Sequence, residues 1–374
     1  MTRLSAAQAA GDALNELRLD QSEPIDPFAA IEDAGLELRF RPLEGLLGAV
    51  LPGNPGGVLI NSARPASLQR YTAAHELGHW YMDQDVLSLD NDDTILGRPH
   101  QETREIDAQV FAAHFLMPLE LLLPVARRYG MKKGSPSSPE QVYQAARDMH
   151  VSYEAAVRQF HSIKFISGPD RARLLSFKPA MIKQRLTGGI NPPNSRGDVW
   201  IIDNPQDHVE VDAATGDAIL LRLIENPATG FRWFDQDMLA ETPPAPPRPA
   251  PEPFSGKEAF DLERPANRTQ VLRPAAAIVP TEVITLIRDE IVAEPYLAGV
   301  TPVGGAVTRV VAYAANSPGE ESVHLAQVRP NRPEAPASTL ELTTKVRGMP
   351  EVEFRRRLLE AFRRDEEEAN GWNQ

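Results

Sequence analysis

The sequence predicts an α+β protein in which a helix-rich domain precedes an all-β sandwich. Within residues 1–170, several segments place apolar residues at helical spacing, and strand-like runs are short and few. Residues 199–347 instead contain short strand-like runs separated by turn residues, which is the pattern of a β-sandwich. Residues 171–198 are predicted to be a linker because much of this stretch is rich in Gly, Pro, Asn and Ser, and residues 348–374 are predicted to form an amphipathic helix.

The N-terminal domain is predicted to contain three strands framed by helices. Asp26 can cap a short helix, Pro27 suits the first turn of that helix, and Gly35 ends it. The predicted strands are Leu36–Phe40, Leu47–Leu51 and Gly57–Asn61. The predicted helices are Ser5–Leu19, Pro27–Ala34, Ser67–Met82, Glu102–Phe115, a segment after Ser138 and Pro139, and Val151–Phe160.

The C-terminal domain is predicted from five strand-like runs and one interruption. Seven of the eleven residues from Pro243 to Pro253 are proline, which favours an extended polyproline conformation and cannot form a central strand. We interpret this run as part of an insertion near residues 240–290. The predicted strands are Val199–Ile202, Ala218–Ile224, Val307–Ala314, Ser322–Val328 and Thr339–Val346.

The composition limits the chemistry that this chain can carry. Its 374 residues include no Cys, which excludes disulfide frameworks, thiolate metal sites and cysteine nucleophiles. With 39 Lys and Arg against 52 Asp and Glu, the net charge of −13 argues against a long nucleic-acid groove. No run approaches the roughly 18 apolar residues of a membrane span, and the N-terminus lacks a secretion signal. The sequence therefore predicts a cytoplasmic protein that binds neither a membrane nor nucleic acid directly.

A five-residue motif in one predicted helix indicates a metal site. His75-Glu76-Leu77-Gly78-His79 has the pattern H-E-x-x-H, and residues four apart lie on the same face of a helix, so both imidazoles can bind one zinc ion. Glu76 then lies beside the open coordination position, where it can take a proton from water. Gly78 costs about 1 kcal/mol relative to Ala in a helix. We expect it there because a side chain would crowd an element packed against the metal helix.

A zinc hydrolase commonly has a third protein ligand and leaves the fourth position for water. The carboxylates that can supply this ligand downstream of the motif are Glu102, Glu105 and Asp107. His100 and His114 compete with them, although a lone His is more often structural.

Two segments together resemble the ImmA/IrrE family of zinc metallopeptidases. The first is YTAAHELGHW at Tyr71–Trp80, and the second is EIDAQVFAAHFLMP at Glu105–Pro118. The resemblance covers roughly residues 24–165. The second segment departs from the family pattern at Gln109, where Asn or Asp is usual, and at Asp107, where Glu is frequent.

This resemblance implies a zincin-like fold with a gluzincin-like ligand set. Matching the second segment residue by residue makes Glu105 the third ligand beside His75 and His79, and Asp107 the runner-up. Glu76 would act as the base that takes a proton from water and passes it to the leaving amine. The residue that stabilises the oxyanion stays open among three side chains, which are Tyr71, Tyr81 and His150.

A second resemblance lies in the C-terminal domain, around residues 216–233. The chagasin-like family consists of small immunoglobulin-like sandwiches that inhibit papain-type cysteine peptidases, and its first binding loop reads N-P-x-T-G before an aromatic residue and a nearby Trp. The matching residues here are Asn226, Pro227, Thr229, Gly230, Phe231 and Trp233. Gly304 and Gly305 resemble the second loop of that family. Arg329 and Pro330 resemble its third loop, with Asn331 in place of a Trp.

Two functions are consistent with these motifs. The first is a zinc-dependent endopeptidase that cleaves a specific intracellular protein. The family resemblance implies a transcriptional repressor or an antitoxin as substrate, in a stress, mobile-element or toxin–antitoxin response, with the sandwich used for recognition or peptidase inhibition. The alternative is a non-catalytic binding protein or cysteine-peptidase inhibitor, whose sandwich loops bind a papain-type peptidase or another protein.

Overall fold

The computed structural model describes residues 3–82, 88–90, 103–205, 207–236, 283–292, 306–329, 332 and 334–371. The chain divides into two units. Unit 1 comprises Met1–Ile190 together with Gly348–Gln374, and unit 2 comprises Asn191–Arg347. The predicted α+β class is confirmed, because unit 1 is mainly helical and unit 2 is built from strands.

Unit 1 contains a four-stranded sheet of order β1-β3-β2-β4. β1 (Glu37–Arg41) pairs in parallel with β3 (Gly57–Asn61), and β2 (Gly48–Leu51) pairs antiparallel with β3 and with β4 (Ser88–Asp90). The three strands predicted here are confirmed to within one residue at each end. The helices of unit 1 are α1 (Arg3–Glu16), α2 (Pro27–Asp33), α3 (Ala66–Met82), α4 (Thr103–Leu116), α5 (Leu119–Arg128), α6 (Pro139–Asp148), α7 (Tyr153–Ser162), α8 (Gly168–Leu175), α9 (Pro179–Thr187) and α10 (Pro350–Gly371).

Two of these helices occupy residues that the sequence predicted as linker. α8 begins after Ser167, whose hydroxyl accepts a hydrogen bond from the backbone N–H of Asp170 at 3.2 Å. α9 has Pro179 in its first turn and ends at Gly188, which adopts a left-handed φ of 64°. Pro179 and Gly188 therefore mark the start and the end of a helix within the predicted linker, and the irregular connection is limited to the residues between Gly188 and Val199.

The C-terminal helix α10 packs on the sheet side of unit 1. The ring of Phe354 lies 5.5 Å from the ring of Phe40 on β1. Arg357 lies 3.4 Å from a carboxylate oxygen of Asp26 and 3.2 Å from one of Glu32. Residues distant in the sequence thus join the core that also contains the metal helix α3.

Unit 2 is a sandwich of two four-stranded sheets. The first has the order β5-β7-β10-β9 and the second has the order β6-β12-β11-β8. Each sheet has one parallel pair, β5 with β7 and β6 with β12, and its other pairs are antiparallel. The eight strands of these two sheets are β5 (Val199–Asp203), β6 (Asp207–Ala214), β7 (Ala218–Glu225), β8 (Arg232–Asp235), β9 (Ile284–Val292), β10 (Val307–Ala315), β11 (Gly319–Val328) and β12 (Ser338–Arg347).

The core of unit 2 takes side chains from both sheets. Leu221 and Tyr313 come from the first sheet, and Leu325 and Leu342 come from the second. The buried carboxylate of Asp217 holds the start of β7. It accepts hydrogen bonds from the N–H groups of Asp198 and Ala214 and from the indole of Trp200. Burial raises the pKa of Asp217 above its ordinary value, although these hydrogen bonds oppose that shift.

Three strands of unit 2 were not predicted, namely β6, β8 and β9. The proline run Pro243–Pro253 lies outside the described residues, whereas β9 begins inside the insertion predicted near residues 240–290. Within the described ranges, no single helix has the length and hydropathy of a membrane span. α4 and α5 meet those criteria only when taken together across a bend of 59°.

We predict that Phe354→Ala lowers the stability of unit 1 by about 1–3 kcal/mol, because it removes a half-buried aromatic side chain from the packing on Phe40. Scanning calorimetry of the full chain measures the shift, with Leu359→Ala as the matched control because Leu359 on the same helix is 59% exposed. Equal melting profiles for the two variants would contradict the packing role of α10.

Candidate metal centre

Helix α3 is fixed at its start by two buried or half-buried polar side chains. Gln69 donates from Nε2 to the carbonyl oxygens of Ser62 at 3.2 Å and Arg64 at 2.6 Å. Arg70 donates to the carbonyl oxygens of His150 and Ile25. These bonds tie the helix to three separate segments of unit 1, so its later turns have a defined position in the core.

The second half of α3 carries the H-E-x-x-H motif into the interior. His75, Glu76 and His79 are all 0% exposed. α4 packs directly against this half of the helix, and a Cβ atom at Gly78 would lie 3.0 Å from the ring of Phe111. The expectation that a side chain at Gly78 would crowd a neighbouring element is therefore confirmed.

α4 also brings a carboxylate to the two imidazoles. The Nε2 atoms of His75 and His79 are 3.2 Å apart. One carboxylate oxygen of Glu105 lies 3.3 Å from His75 Nε2, and the other lies 3.5 Å from His79 Nε2. Within the described part of the chain, these three side chains form the group of His, Asp and Glu residues that could hold a metal ion.

The three separations fit a tetrahedral zinc site. With ligand bonds of about 2.0–2.1 Å, neighbouring ligand atoms of a zinc tetrahedron are about 3.3 Å apart. The observed 3.2, 3.3 and 3.5 Å lie close to this value. Two imidazole nitrogens and one carboxylate are also a ligand set that zinc accepts in hydrolases, with one position left open.

The electrostatic environment favours an ionised Glu105. Burial of this carboxyl group, which is 13% exposed, acts to raise its pKa. Hydrogen bonds from His75 and His79, together with the charge of these imidazoles, outweigh the burial and lower the pKa well below its ordinary value. Glu105 is therefore a carboxylate, the form that binds a metal cation.

Glu76 is enclosed by the sheet on the side of β2. A Cβ atom at Gly48 would overlap Thr72 Cγ2 and lie 2.7 Å from Glu76 Oε1, so the absence of a side chain at residue 48 lets β2 approach α3 this closely. The loop before β2 is held by the buried side chain of Asn61, which donates to the carbonyl oxygens of Leu43 at 2.8 Å and Leu46 at 2.6 Å. The base candidate thus lies between a helix and a strand whose positions are fixed.

In unit 2, the first loop of the chagasin-like resemblance is ordered by its own hydrogen bonds. The carbonyl oxygen of Asn226 accepts from the hydroxyl of Thr229 at 2.7 Å, and that hydroxyl accepts from the N–H of Phe231 at 3.3 Å. The guanidinium of Arg329 lies 4.6 Å from the centre of the Phe231 ring. The first and third loops of the resemblance are thereby in contact.

Trp233 belongs to the support of this loop rather than to its exposed surface. Its side chain is 6% exposed, and its indole N–H donates to the carbonyl of Ile224 at 3.3 Å. Trp233 therefore lies in the core behind the turn, and its part in binding stays a prediction. Gly230 and Phe231 lie in the described loop, whereas Gly304, Gly305 and Pro330 lie outside the described residues.

Part of unit 1 is similar in sequence to known proteins. Residues 31–161 match the family Peptidase_M78, described as the IrrE N-terminal-like domain. Over 98 residues the chain is also 38% identical to the radiation response metalloprotease IrrE of Deinococcus radiodurans. That alignment spans 26% of this chain and 29% of the relative, so the chain covers well under two thirds of the relative's length.

Several solved structures are similar to part of this chain. One is the inhibitor EhICP2 from Entamoeba histolytica, with 19% identity, a TM-score of 0.26 and coverage of 41% of this chain and 98% of that one. Another is PbICP-C in complex with falcipain-2, with 16% identity, a TM-score of 0.23 and coverage of 40% and 100%. Because the identities and TM-scores are low, these likenesses carry no conclusion about what unit 2 binds.

The other candidate residues of unit 1 lie apart from the group formed by His75, His79 and Glu105. Asp107 is 6% exposed on α4 but is not part of that group. His114 is half-buried nearer the end of the same helix, and burial lowers its pKa. Glu102 and His100 lie outside the described residues.

Of the three residues considered for oxyanion stabilisation, Tyr71 is the one whose ring stacks on a ligand of the group. Its ring centre lies 6.4 Å from that of His75. Tyr81 stacks on Phe111 at 6.0 Å, and His150 offers its backbone carbonyl to Arg70. The role itself stays a prediction for all three.

A cavity that the sequence did not indicate adjoins Tyr71. It has a volume of about 250 Å³, and its lining is mainly apolar. α3, α4 and α7 enclose it, so it arises from tertiary packing. The lining residues are Ser67, Leu68, Tyr71, Ala113, Leu116, Val151, Ser152, Glu154, Ala155 and Arg158.

We predict that Glu105→Gln weakens zinc binding by at least about 100-fold, because it removes a charged ligand, whereas loss of a supporting residue costs about 10–100-fold or less. Competition with a chromogenic chelator measures the affinity, and Asp107→Asn on the same helix is the matched control. If the Asp107→Asn variant loses zinc and the Glu105→Gln variant retains it, the third ligand is Asp107 and not Glu105.

Proposed function

We propose that the chain is a zinc-dependent metallopeptidase that cleaves a specific intracellular protein. The observation that carries this proposal is the convergence of His75, His79 and Glu105 at the separations of a zinc tetrahedron, with Glu76 on the same helix. The family match of residues 31–161 and the name of the Deinococcus radiodurans relative support the same class of activity.

In this proposal, three side chains bind the metal ion and a fourth transfers a proton. His75, His79 and Glu105 would hold the ion, and a bound zinc ion supplies a Lewis acid that polarises a carbonyl group and lowers the pKa of water. Glu76 takes one proton from the attacking water and gives it to the nitrogen of the leaving amine as the peptide bond breaks. Water and one peptide bond are thus converted into a carboxylic acid and an amine.

We further propose that the substrate is a regulatory protein, such as a transcriptional repressor or an antitoxin, in a stress, mobile-element or toxin–antitoxin response in the cytoplasm. The name of the Deinococcus radiodurans relative, a radiation response metalloprotease, supports a stress-related role. The deeply buried position of the motif supports selective cleavage, because a substrate must present a segment that fits the surroundings of the site.

We predict that Glu76→Gln abolishes cleavage and leaves the zinc content near that of the wild type, because the residue moves a proton and is not in the ligand group. Loss of a general base lowers the rate by about 100-fold or more. Mass spectrometry of new protein N-termini in cells that express each form identifies the cleaved proteins, and Glu120→Gln is the control at an exposed position on α5. Persistent cleavage by Glu76→Gln, with zinc bound, would contradict the mechanism.

A second candidate function concerns the loops of unit 2, which we propose bind a papain-type cysteine peptidase. The contact between Phe231 and Arg329 supports this candidate, because it joins two loops into one exposed surface. The internal hydrogen bonds of residues 226–231 reduce the entropy that the loop would lose on binding. Asn331, in the place of the family's Trp, removes one expected contact.

We predict that the full chain inhibits papain and that Thr229→Ala weakens inhibition by about tenfold, because it removes the hydroxyl that orders the loop. Thr215→Ala is the matched control, since Thr215 is exposed in the turn at the opposite end of β7. Steady-state inhibition of papain on a fluorogenic peptide measures both. Absence of inhibition by the wild type at micromolar concentrations would reject this candidate without affecting the metal centre.

A further inference from the structure

Unit 1 contains a second, larger cleft whose ionisable lining residues are all basic. Its volume is about 1260 Å³, and its lining includes Arg158, His161, Lys164, Arg171 and His114. None of the lining residues is Asp or Glu. In a chain with a net charge of −13, such a concentration of cationic groups in one cleft is a local reversal of the overall charge.

Three of these side chains are permanent cations. Lys164 is exposed and Arg171 is half-buried, and neither forms an ion pair within the described part of the chain. Arg158 pairs with Glu154 at 2.5 Å, but its side chain is 52% exposed, so this surface pair contributes little. Their positions on α7 and in the segment between α7 and the middle of α8 place them around one opening.

The basic cleft and the apolar cavity beside Tyr71 share one lining residue. Arg158 lines both the basic cleft and the apolar cavity of about 250 Å³. Tyr71 lines that cavity and stacks on His75. The apolar cavity thus adjoins the basic cleft at Arg158, and its lining residue Tyr71 contacts His75.

We propose that the basic cleft binds an acidic segment of the protein substrate, while an apolar side chain close to that segment enters the adjoining cavity. This inference rests on the proposed peptidase function and adds a substrate class to it. The charge of the cleft is complementary to Asp and Glu side chains, and the cavity has room for an aliphatic or small aromatic side chain.

A peptide fits these observations better than nucleic acid does. Proteins that bind nucleic acid tightly make about 6–10 phosphate contacts along an extended basic surface. The cleft offers three permanent cations in a confined space, and the chain as a whole is acidic. The adjoining apolar cavity is lined by Tyr71, which stacks on His75 of the site proposed to cleave peptide bonds, and this favours a polypeptide further.

The test measures binding rather than cleavage. It uses the full chain carrying Glu76→Gln, which is expected not to cleave the peptide probe. The probe is a labelled peptide of about twelve residues with four consecutive Glu and one Leu, and its counterpart has Gln in place of each Glu. Fluorescence anisotropy at low salt is expected to show at least about tenfold tighter binding of the acidic peptide. The double variant Lys164→Glu with Arg171→Glu is expected to lose that preference.

The matched control is the double variant Arg41→Glu with Lys178→Glu, which reverses two exposed cations that line neither cavity. It is expected to change the affinity for the acidic peptide by less than about twofold. Lys164→Gln with Arg171→Gln serves as the milder variant if the reversal unfolds the chain. Equal binding of the two peptides, or an unchanged preference in the cleft variants, would overturn the proposal. Tighter binding of a single-stranded oligonucleotide than of the acidic peptide would overturn it in favour of nucleic acid. Because no step requires cleavage, failure of the proposed peptidase activity would leave this result unaffected.

Discussion

The arrangement of unit 1 depends on the close contact of α3 and α4 at Gly78. A Cβ atom there would lie 3.0 Å from the ring of Phe111, so the two helices approach as closely as a missing side chain allows. Glu105 lies nearly two turns before Phe111 on α4. A small increase in the separation of the helices would therefore move the carboxylate away from both imidazoles. Helix packing, more than the identity of the ligands, sets the geometry of the metal group.

The sheet supplies the second constraint, on the opposite side of the motif. Asn61 holds the loop before β2 through hydrogen bonds to Leu43 and Leu46, and β2 then passes Glu76 at Gly48. Two glycines far apart in the sequence thus have the same physical role, since each allows a neighbouring element to reach α3. The side chains proposed as ligands and base are held by packing from both sides, which limits the reorganisation that a reaction would require.

The sequence predicted those features that depend on local spacing. The pair His75 and His79 follows from helical geometry, and the strands β1 to β3 follow from their apolar runs and turns. The choice between Glu105 and Asp107 could not follow from spacing alone, because the two lie roughly 200° apart around α4 and only tertiary packing decides which faces α3. The place of α10 likewise depends on the contact of Phe354 with Phe40, and β6 was missed because its run DHVEVDAA is polar on one side. The basic cleft was missed for the same reason, since the turn between α7 and α8 is what gathers its cations.

The acidic surface and the basic cleft act in opposite ways on an acidic polypeptide. At physiological salt, exposed charges are screened beyond about 8 Å, so a segment inside the cleft is influenced by Lys164, Arg171 and Arg158 more than by the acidic surface. An acidic polypeptide at a distance is repelled by the excess of carboxylates, and only a segment that enters the cleft is attracted. Local attraction combined with general repulsion selects substrates by the position of their acidic residues relative to an apolar side chain, and not by their overall charge. A surface of this kind would suit a protease that must leave most acidic proteins uncut.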